Sequence, residues 1–387
     1  PISKPPPPHP NPPPTPPTAP PPPPPGPPRA AAPLQRETSS AELVQVDALV
    51  RATEARVAFG VDGRRTTVAV LDTGLRTTHR DFAGRVRASR NFTRDNGGDP
   101  GDATDGQGHG TNVAGIICAG DLHVGIAPRA CVVPVKVLSN TGDGSFAAIR
   151  DALRWVLAER ARLGITAVCM SLGASDNRVT DSDLAGDAVG RAMAELTEAG
   201  VACCVAAGND FFAHDSAQGM SYPAIFRHTL SVGSVYDSDV GPFGYLSGAK
   251  AFRSGPDHIT PFSQRLHESR GGECATDIFA PGAPTTSSGI ADDTGESVQH
   301  GTSQATPVVA GVVLLLQDFC LKTTGRLPSV AEVRRWLCEG AVWINDGDDE
   351  HDNVRHTGLD FRRVDALGAL KACAHDFSGS PGRSSDR

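Results

Sequence analysis

Basic blocks are missing from this 387-residue chain, whose formal net charge is −8. That excludes nucleic acid as its main partner. Long apolar runs are missing too. The longest, around residues 308–316, falls far short of the ~20 residues of a membrane span. No charged-then-apolar leader opens the chain, so no signal peptide is expected. The first residue is Pro1 rather than methionine, which leaves room for a segment removed upstream. None of the nine cysteines stands in a C-x-x-C pair, which argues against a zinc site. Cys131, Cys169, Cys203 and Cys204 fall inside apolar runs and read as small buried hydrophobes rather than a disulfide framework. That usage points to a reducing, cytoplasmic setting, with secretion as the alternative. No internal repeat is present.

What the chain does have is uneven. Residues 1–33 hold 20 of the 32 prolines. Such a segment forms polyproline II and buries no core. It reads as a disordered linker or tail, with an SH3-type partner as one use. Residues 34–52 read as a connecting segment, 53–378 as the folded domain and 379–387 as a disordered tail. Within the domain, "TTVAVLDTG" (66–74), "CVVPVKVL" (131–138), "TAVCMSLG" (166–173), "VACCVAAG" (201–208) and "TLSVGSV" (229–235) are short continuous apolar runs. These suit strands covered on both faces. Helical patterns separate them. Phe146, Ile149, Leu153, Val156 and Leu157 share one face, and the pattern near 183–200 stops at Gly200. Alternating strands and helices predict an α/β fold of three layers, a mostly parallel sheet with helices on both faces. Chemistry in such sheets gathers at the carboxyl ends of the strands.

Four positions could carry that chemistry. Asp72 ends an apolar strand in "VAVLDTG", and His109 sits between glycines in "DGQGHGTNVAG". Ser303 opens a helix in "HGTSQATPVVAG", and Asn209 follows a strand in "VAAGND". Singly, these are a turn, a loop residue, an N-cap and a polar loop residue. Together they fit nucleophilic hydrolysis. A serine hydroxyl needs a neutral histidine to take its proton, and a buried aspartate fixes the imidazole tautomer. The backbone N–H of Ser303 and the amide of Asn209 can stabilise an oxyanion. The helix start favours that negative charge. The same helix carries Pro307, placed near its first turn, where few hydrogen bonds are lost.

These motifs resemble those of the subtilisin-like serine proteases, the subtilases, over roughly residues 53 to 345. The chain order Asp72, His109, Ser303 is that of subtilisin. The resemblance implies a seven-stranded sheet, endopeptidase activity on protein or peptide substrates, the triad Asp72, His109 and Ser303, and Asn209 as oxyanion donor. It implies that Ser171, Leu172 and Gly173 pair with substrate backbone, that Gly142, Asp143 and Gly144 flank its other side, and that Ala207 and Gly208 line the site. Asp143 and Asp210 would favour basic residues in substrates. No cofactor is required. Asp81 matches an aspartate that many members give to a tight calcium site, but the loop near Ala119–His123 is too short to complete six to eight oxygens. Gln304 and Asn112 replace the methionine and histidine common there, and Gln304 is expected to matter little. Residues 241–260 read as a surface insertion. No prodomain is visible.

Other readings stay open at this point. Asp72 and Asp293 both lie in Asp-Thr-Gly, the signature of a proton-sharing aspartic protease pair. The helical patterns contradict its all-β fold. A catalytically weak scaffold, or a ligase that intercepts the acyl-enzyme with an amine, would use the same fold.

Overall fold

The computed structural model describes residues 29–30 and 43–378. The reading of the proline-rich segment 1–33, apart from Arg29 and Ala30, of any partner it has, of residues 34–42 of the connecting segment and of the 379–387 tail lies outside those residues. A short strand β1 (Arg29–Ala30) precedes helices α1 (Leu43–Val50) and α2 (Ala52–Phe59). The strands that follow are β2 (Thr67–Asp72), β3 (Arg90–Asn91), β4 (Cys131–Lys136), β5 (Ile165–Met170), β6 (Leu172–Gly173), β7 (Ala202–Ala206) and β8 (Leu230–Tyr236). Further strands are β9 (Phe243–Gly244), β10 (Lys250–Arg253), β11 (Ile278–Ala283), β12 (Thr285–Ser288), β13 (Glu296–Gln299), β14 (Val342–Asn345), β15 (His351–Asp352) and β16 (Asp360–Arg363). Between them lie helices α3 (His109–Cys118), α4 (Phe146–Leu163), α5 (Ala188–Glu198), α6 (Glu268–Gly271), α7 (Thr302–Thr324), α8 (Val330–Glu339) and α9 (Ala366–Ser378).

The main sheet has nine strands in the order β14-β16-β11-β8-β7-β5-β2-β4-β3. Every neighbouring pair is parallel except β14 with β16. The expected count was seven; β16 and β14, from the segment after α8, extend one edge. Every residue of β2, β4, β5, β7 and β8 is buried, as strands covered on both faces require. Alternate side chains serve opposite layers. Val68 and Val70 join the core under α3 and α7, whereas Ala69 and Leu71 join the core under α4 and α5. A fully buried Leu or Val contributes about 1.5–3 kcal/mol, so both layers are held by burial.

Local signals set the helix ends. Ser145 caps α4 by accepting from Ala148 N, and Gly164 closes it in the left-handed conformation. Ser329 and Glu332 form a capping box on α8. The boundary expected at residue 53 falls in the first turn of α2. Leu43, Val46 and Val50, before it, are part of the core. Among the described residues α7 alone is long and apolar enough to cross a membrane, and it is almost wholly buried inside the fold.

The insertion is not purely surface. β10 pairs with both β9 and β15, and Tyr245, Ala249 and Ala251 are buried with Tyr236 and Phe262. The Tyr236 and Tyr245 hydroxyls lie 2.7 Å apart.

Candidate active site

Asp72 closes β2, and His109 opens α3. Their loops touch: a Cβ on Gly110 would strike the carbonyl of Gly74 and lie 3.1 Å from Asp72 Cβ. Only glycine permits that approach. His109 Nδ1 meets Asp72 Oδ1 at 2.8 Å, and both side chains are buried. Asp72 Oδ1 also accepts from Thr73 N at 2.7 Å. Asp72 therefore holds Nδ1 as the donor and leaves Nε2 as the basic atom. His109 Nε2 has no partner among the described residues.

Asp105, which the sequence reading passed over, shapes this loop. It accepts from Thr73 Oγ1 (2.9 Å), Gln107 N (2.9 Å), Gly108 N (2.8 Å), Thr111 N (3.0 Å) and Thr111 Oγ1 (2.7 Å). An aspartate before a glycine-rich turn is a local signal that could have found it. Burial disfavours the charged form of His109, but the Asp72 carboxylate and its hydrogen bond outweigh burial, and the pKa is raised above 6.5. A base must be neutral, so kcat/KM should rise with pH along a limb whose midpoint lies above ~6.5. A pH profile from 5 to 9 that is flat, or centred below 6, would contradict this.

Ser303 lies in the first turn of α7 and is buried. Pro307 lacks the N–H that would bond the Ser303 carbonyl four residues back. That carbonyl accepts from Ser171 Oγ instead, at 2.7 Å. The proline defect is thus used, by a residue beside the nucleophile candidate. In return Ser303 Oγ donates to the carbonyl of Ser171 at 3.1 Å. No hydrogen bond joins it to His109 Nε2 among the described residues. Catalytic hydrogen bonds are often unformed without substrate. Side-chain bonds tie the starts of α3 and α7 together: Gln304 Nε2 donates to Gln299 Oε1 (3.1 Å) and Asn112 Oδ1 (3.4 Å), and Gln299 Nε2 donates to the carbonyl of Gly108 (3.4 Å). The two departures, Gln304 and Asn112, are therefore partners. Three residues before Ser303, His300 stacks on Phe243 of the insertion at 4.5 Å. Burial pushes its pKa down to about 4, so it stays neutral and adds no competing charge.

Asn209 follows β7. Its Oδ1 accepts from Thr302 N (2.9 Å) and Thr302 Oγ1 (2.8 Å), which turns Nδ2 the other way. A Cβ on Gly301 would lie 3.1 Å from Asn209 Nδ2 and 3.4 Å from Ser303 N. Two donors thus flank one point beside Ser303.

The expected substrate edge, Ser171 to Gly173, includes β6. Here β6 pairs antiparallel with β1, Arg29 opposite Gly173 and Ala30 opposite Leu172. Ala207 and Gly208 sit opposite. The carbonyl of Ala207 accepts from Ser221 N at 2.8 Å, and Gly208 N donates to Thr302 Oγ1 at 3.3 Å. Gly142, Asp143 and Gly144 form a tight turn in which Ser139 N donates to the Asp143 carbonyl at 2.7 Å. Just beyond, Phe146 packs edge-on to Tyr222 at 4.5 Å, and the Tyr222 carbonyl accepts from Ala174 N at 2.8 Å. The second Asp-Thr-Gly is elsewhere: Asp293 is half-exposed and pairs with Arg76 Nε (2.9 Å) and Thr78 Oγ1 (2.6 Å). The two aspartates do not form a pair, which removes the aspartic protease reading.

A family model described as the subtilase family matches residues 63–362. The chain belongs to the subtilase family. Its activity class is that of a subtilisin-like serine endopeptidase. The chain is 30% identical over 280 residues to the major intracellular serine protease of Bacillus subtilis, covering 71% of this chain and 76% of that one. An intracellular serine protease of Paenibacillus polymyxa is 31% identical over 260 residues, 66% of this chain and 68% of the relative. A cuticle-degrading serine protease of Arthrobotrys oligospora is 34% identical over 253 residues, 65% of this chain and 51% of the relative.

In this subtilase Asp81 is surrounded by donors. Its Oδ1 accepts from Leu122 N (2.8 Å) and His123 N (3.0 Å), and its Oδ2 from His123 Nδ1 (2.7 Å) and Ser288 Oγ (2.6 Å). Burial alone would raise its pKa, but these bonds, led by His123, hold it well below the usual carboxylate range. A calcium ion needs oxygen ligands with free lone pairs. Both Asp81 oxygens already accept from N–H groups and from the Ser288 hydroxyl.

Proposed function

We propose that this subtilase hydrolyses peptide bonds through an acyl-enzyme on Ser303. The observation that carries the reading is the buried Asp72–His109 pair, whose Nε2 has no partner among the described residues, with Ser303 at the start of α7 and Asn209 just past β7. An extended substrate pairs with β6, and β1 already pairs with that edge as an extended strand. A substrate strand and β1 compete for the same backbone groups. Ser303 Oγ rotates off the Ser171 carbonyl, attacks the scissile carbonyl and gives its proton to His109 Nε2. Asp72 stabilises the imidazolium. The oxyanion takes hydrogen bonds from Ser303 N and Asn209 Nδ2. His109 then protonates the leaving amine, and water repeats the sequence on the acyl-enzyme. A fluorophosphonate probe should label Ser303 in parallel with cleavage of casein. Labelling elsewhere, or inhibition by pepstatin alone, would overturn the reading.

Asp81 then serves as a structural acceptor rather than as a calcium ligand. EDTA should move the melting temperature by less than ~4 °C, about 1 kcal/mol for a large domain. A fall of more than ~10 °C would reveal a tight site. A reducing setting is supported by nine cysteines with no disulfide among them and by the names of the intracellular relatives. Burial pushes the Cys203 thiol up to about 12, so it stays an inert, protonated core residue.

A further inference from the structure

A second carboxylate lies behind the Asp72–His109 pair. Asp105 is buried, and its five hydrogen bonds fall three on Oδ1 and two on Oδ2. All five partners are N–H or O–H groups, which a carboxylate accepts. Gln107 N and Gly108 N belong to the turn that enters α3, and Thr111 gives its N–H and hydroxyl from the first turn of the helix. The fifth donor is the hydroxyl of Thr73, the residue after Asp72. That same hydroxyl accepts from Gly110 N at 2.9 Å, and Thr73 N donates to Asp72 Oδ1. One threonine thus joins both carboxylates to the helix start that carries His109. His109 N donates in turn to Gln107 Oε1 at 2.7 Å.

The charges around the pair are ordered as well. Two carboxylates face His109, Asp72 from β2 and Asp105 from the loop before α3. Burial works against the protonated ring, and both carboxylates work for it, Asp72 the more strongly. The cation that faces these carboxylates is Lys136, the last residue of β4. Asp72 and Lys136 are register partners in parallel strands, so their side chains leave the same face of the sheet. Val70 and Val132, on that face, join the core under α3 and α7. Lys136 is fully buried, and its Nζ donates to the Thr73 carbonyl at 2.5 Å and to Asn140 Oδ1 at 2.8 Å. Asp95, whose Oδ2 is 3.4 Å from Nζ, and Asp102 are the other acids that its charge reaches. One ammonium among four carboxylates leaves negative charge over, and His109 is the group that can take it up.

We propose that Asp105 is a positioning residue for the reaction: through Thr73 and the start of α3 it fixes the imidazole of His109 against Asp72, and its charge adds to that of Asp72 in stabilising the imidazolium. This rests on the reading of His109 as the base that serves Ser303. An acceptor that only shaped the loop would change stability and leave the pH profile of the reaction where it is.

The test compares Asp105→Asn and Thr73→Val with wild type, all as the full chain. Each is assayed from pH 5 to 9 on one quenched fluorescent peptide, with melting temperature and fluorophosphonate labelling measured alongside. Asparagine matches aspartate in size and removes its charge. Asp105→Asn should move the pH limb of kcat/KM downward and lower the plateau by about tenfold or more. Thr73→Val keeps both carboxylates and cuts the tie between them. Its loss should be of similar size and fall on kcat, with KM within about twofold of wild type. A limb that stays in place in folded Asp105→Asn overturns the proposal, whatever the plateau does. So does Thr73→Val with wild-type kcat, and this second variant decides the matter if Asp105→Asn does not fold. Either failure, in a wild type that labels at Ser303 and cleaves the peptide, leaves the peptidase reading intact. A wild type that neither labels nor cleaves overturns that reading and this proposal with it.

Discussion

Ser303→Ala is expected to lower kcat by about 10⁶, the loss that removal of the nucleophile causes in a subtilisin. The substitution removes one atom, Oγ, whose only hydrogen bond among the described residues is the 3.1 Å contact to the Ser171 carbonyl. Losing it costs about 0.5–1.5 kcal/mol of stability. The stronger link survives, because Ser171 Oγ donates to the backbone carbonyl of residue 303 at 2.7 Å, and alanine keeps that carbonyl. The variant should therefore melt close to wild type while losing fluorophosphonate labelling. Casein hydrolysis by Ser303→Ala at the wild-type rate would refute the acyl-enzyme.

Asp72→Asn should lower kcat by about 10⁴. Asp72 Oδ1 serves two donors, His109 Nδ1 and Thr73 N, while Oδ2 has no partner among the described residues. An asparagine keeps one acceptor and replaces the other with NH₂. If the oxygen stays on His109, the imidazolium loses its counter-charge. If the amide turns, its NH₂ faces Nδ1 and favours the tautomer protonated on Nε2, which is no base. Either way the charge that raises the His109 pKa is gone, so the pH limb of any residual kcat/KM should move down. A change smaller than tenfold, or a limb that stays in place, would mean that Asp72 is not the partner of the working histidine.

Much of this was legible in the linear chain, because the relevant signals are local. A strand buried on both faces must be a continuous apolar run, as β2, β4, β5, β7 and β8 are. A strand-end aspartate, a histidine between glycines and a serine at a helix start declare themselves by immediate neighbours. The sheet edge was less legible: β14 and β16 carry exposed and polar residues, so their pattern does not announce a strand in the main sheet. The insertion was misjudged because Tyr245 is buried by Tyr236 and Phe262, and no local pattern reports such distant partners.

The sequence by itself determined the layered α/β architecture and the reaction class, and it singled out Asp72, His109, Asn209 and Ser303 as candidates, since each signal lies in residue type and near neighbours. Only the tertiary structure decided how those positions are tuned. It placed the Ser303 carbonyl, freed by Pro307, on Ser171, closed the Asp81 position with N–H and O–H donors, and joined Gln304 to Asn112. Each of these is a hydrogen bond made, or withheld, between residues far apart in the chain. A hydrogen bond depends on distance and direction in space, and sequence separation carries no record of either.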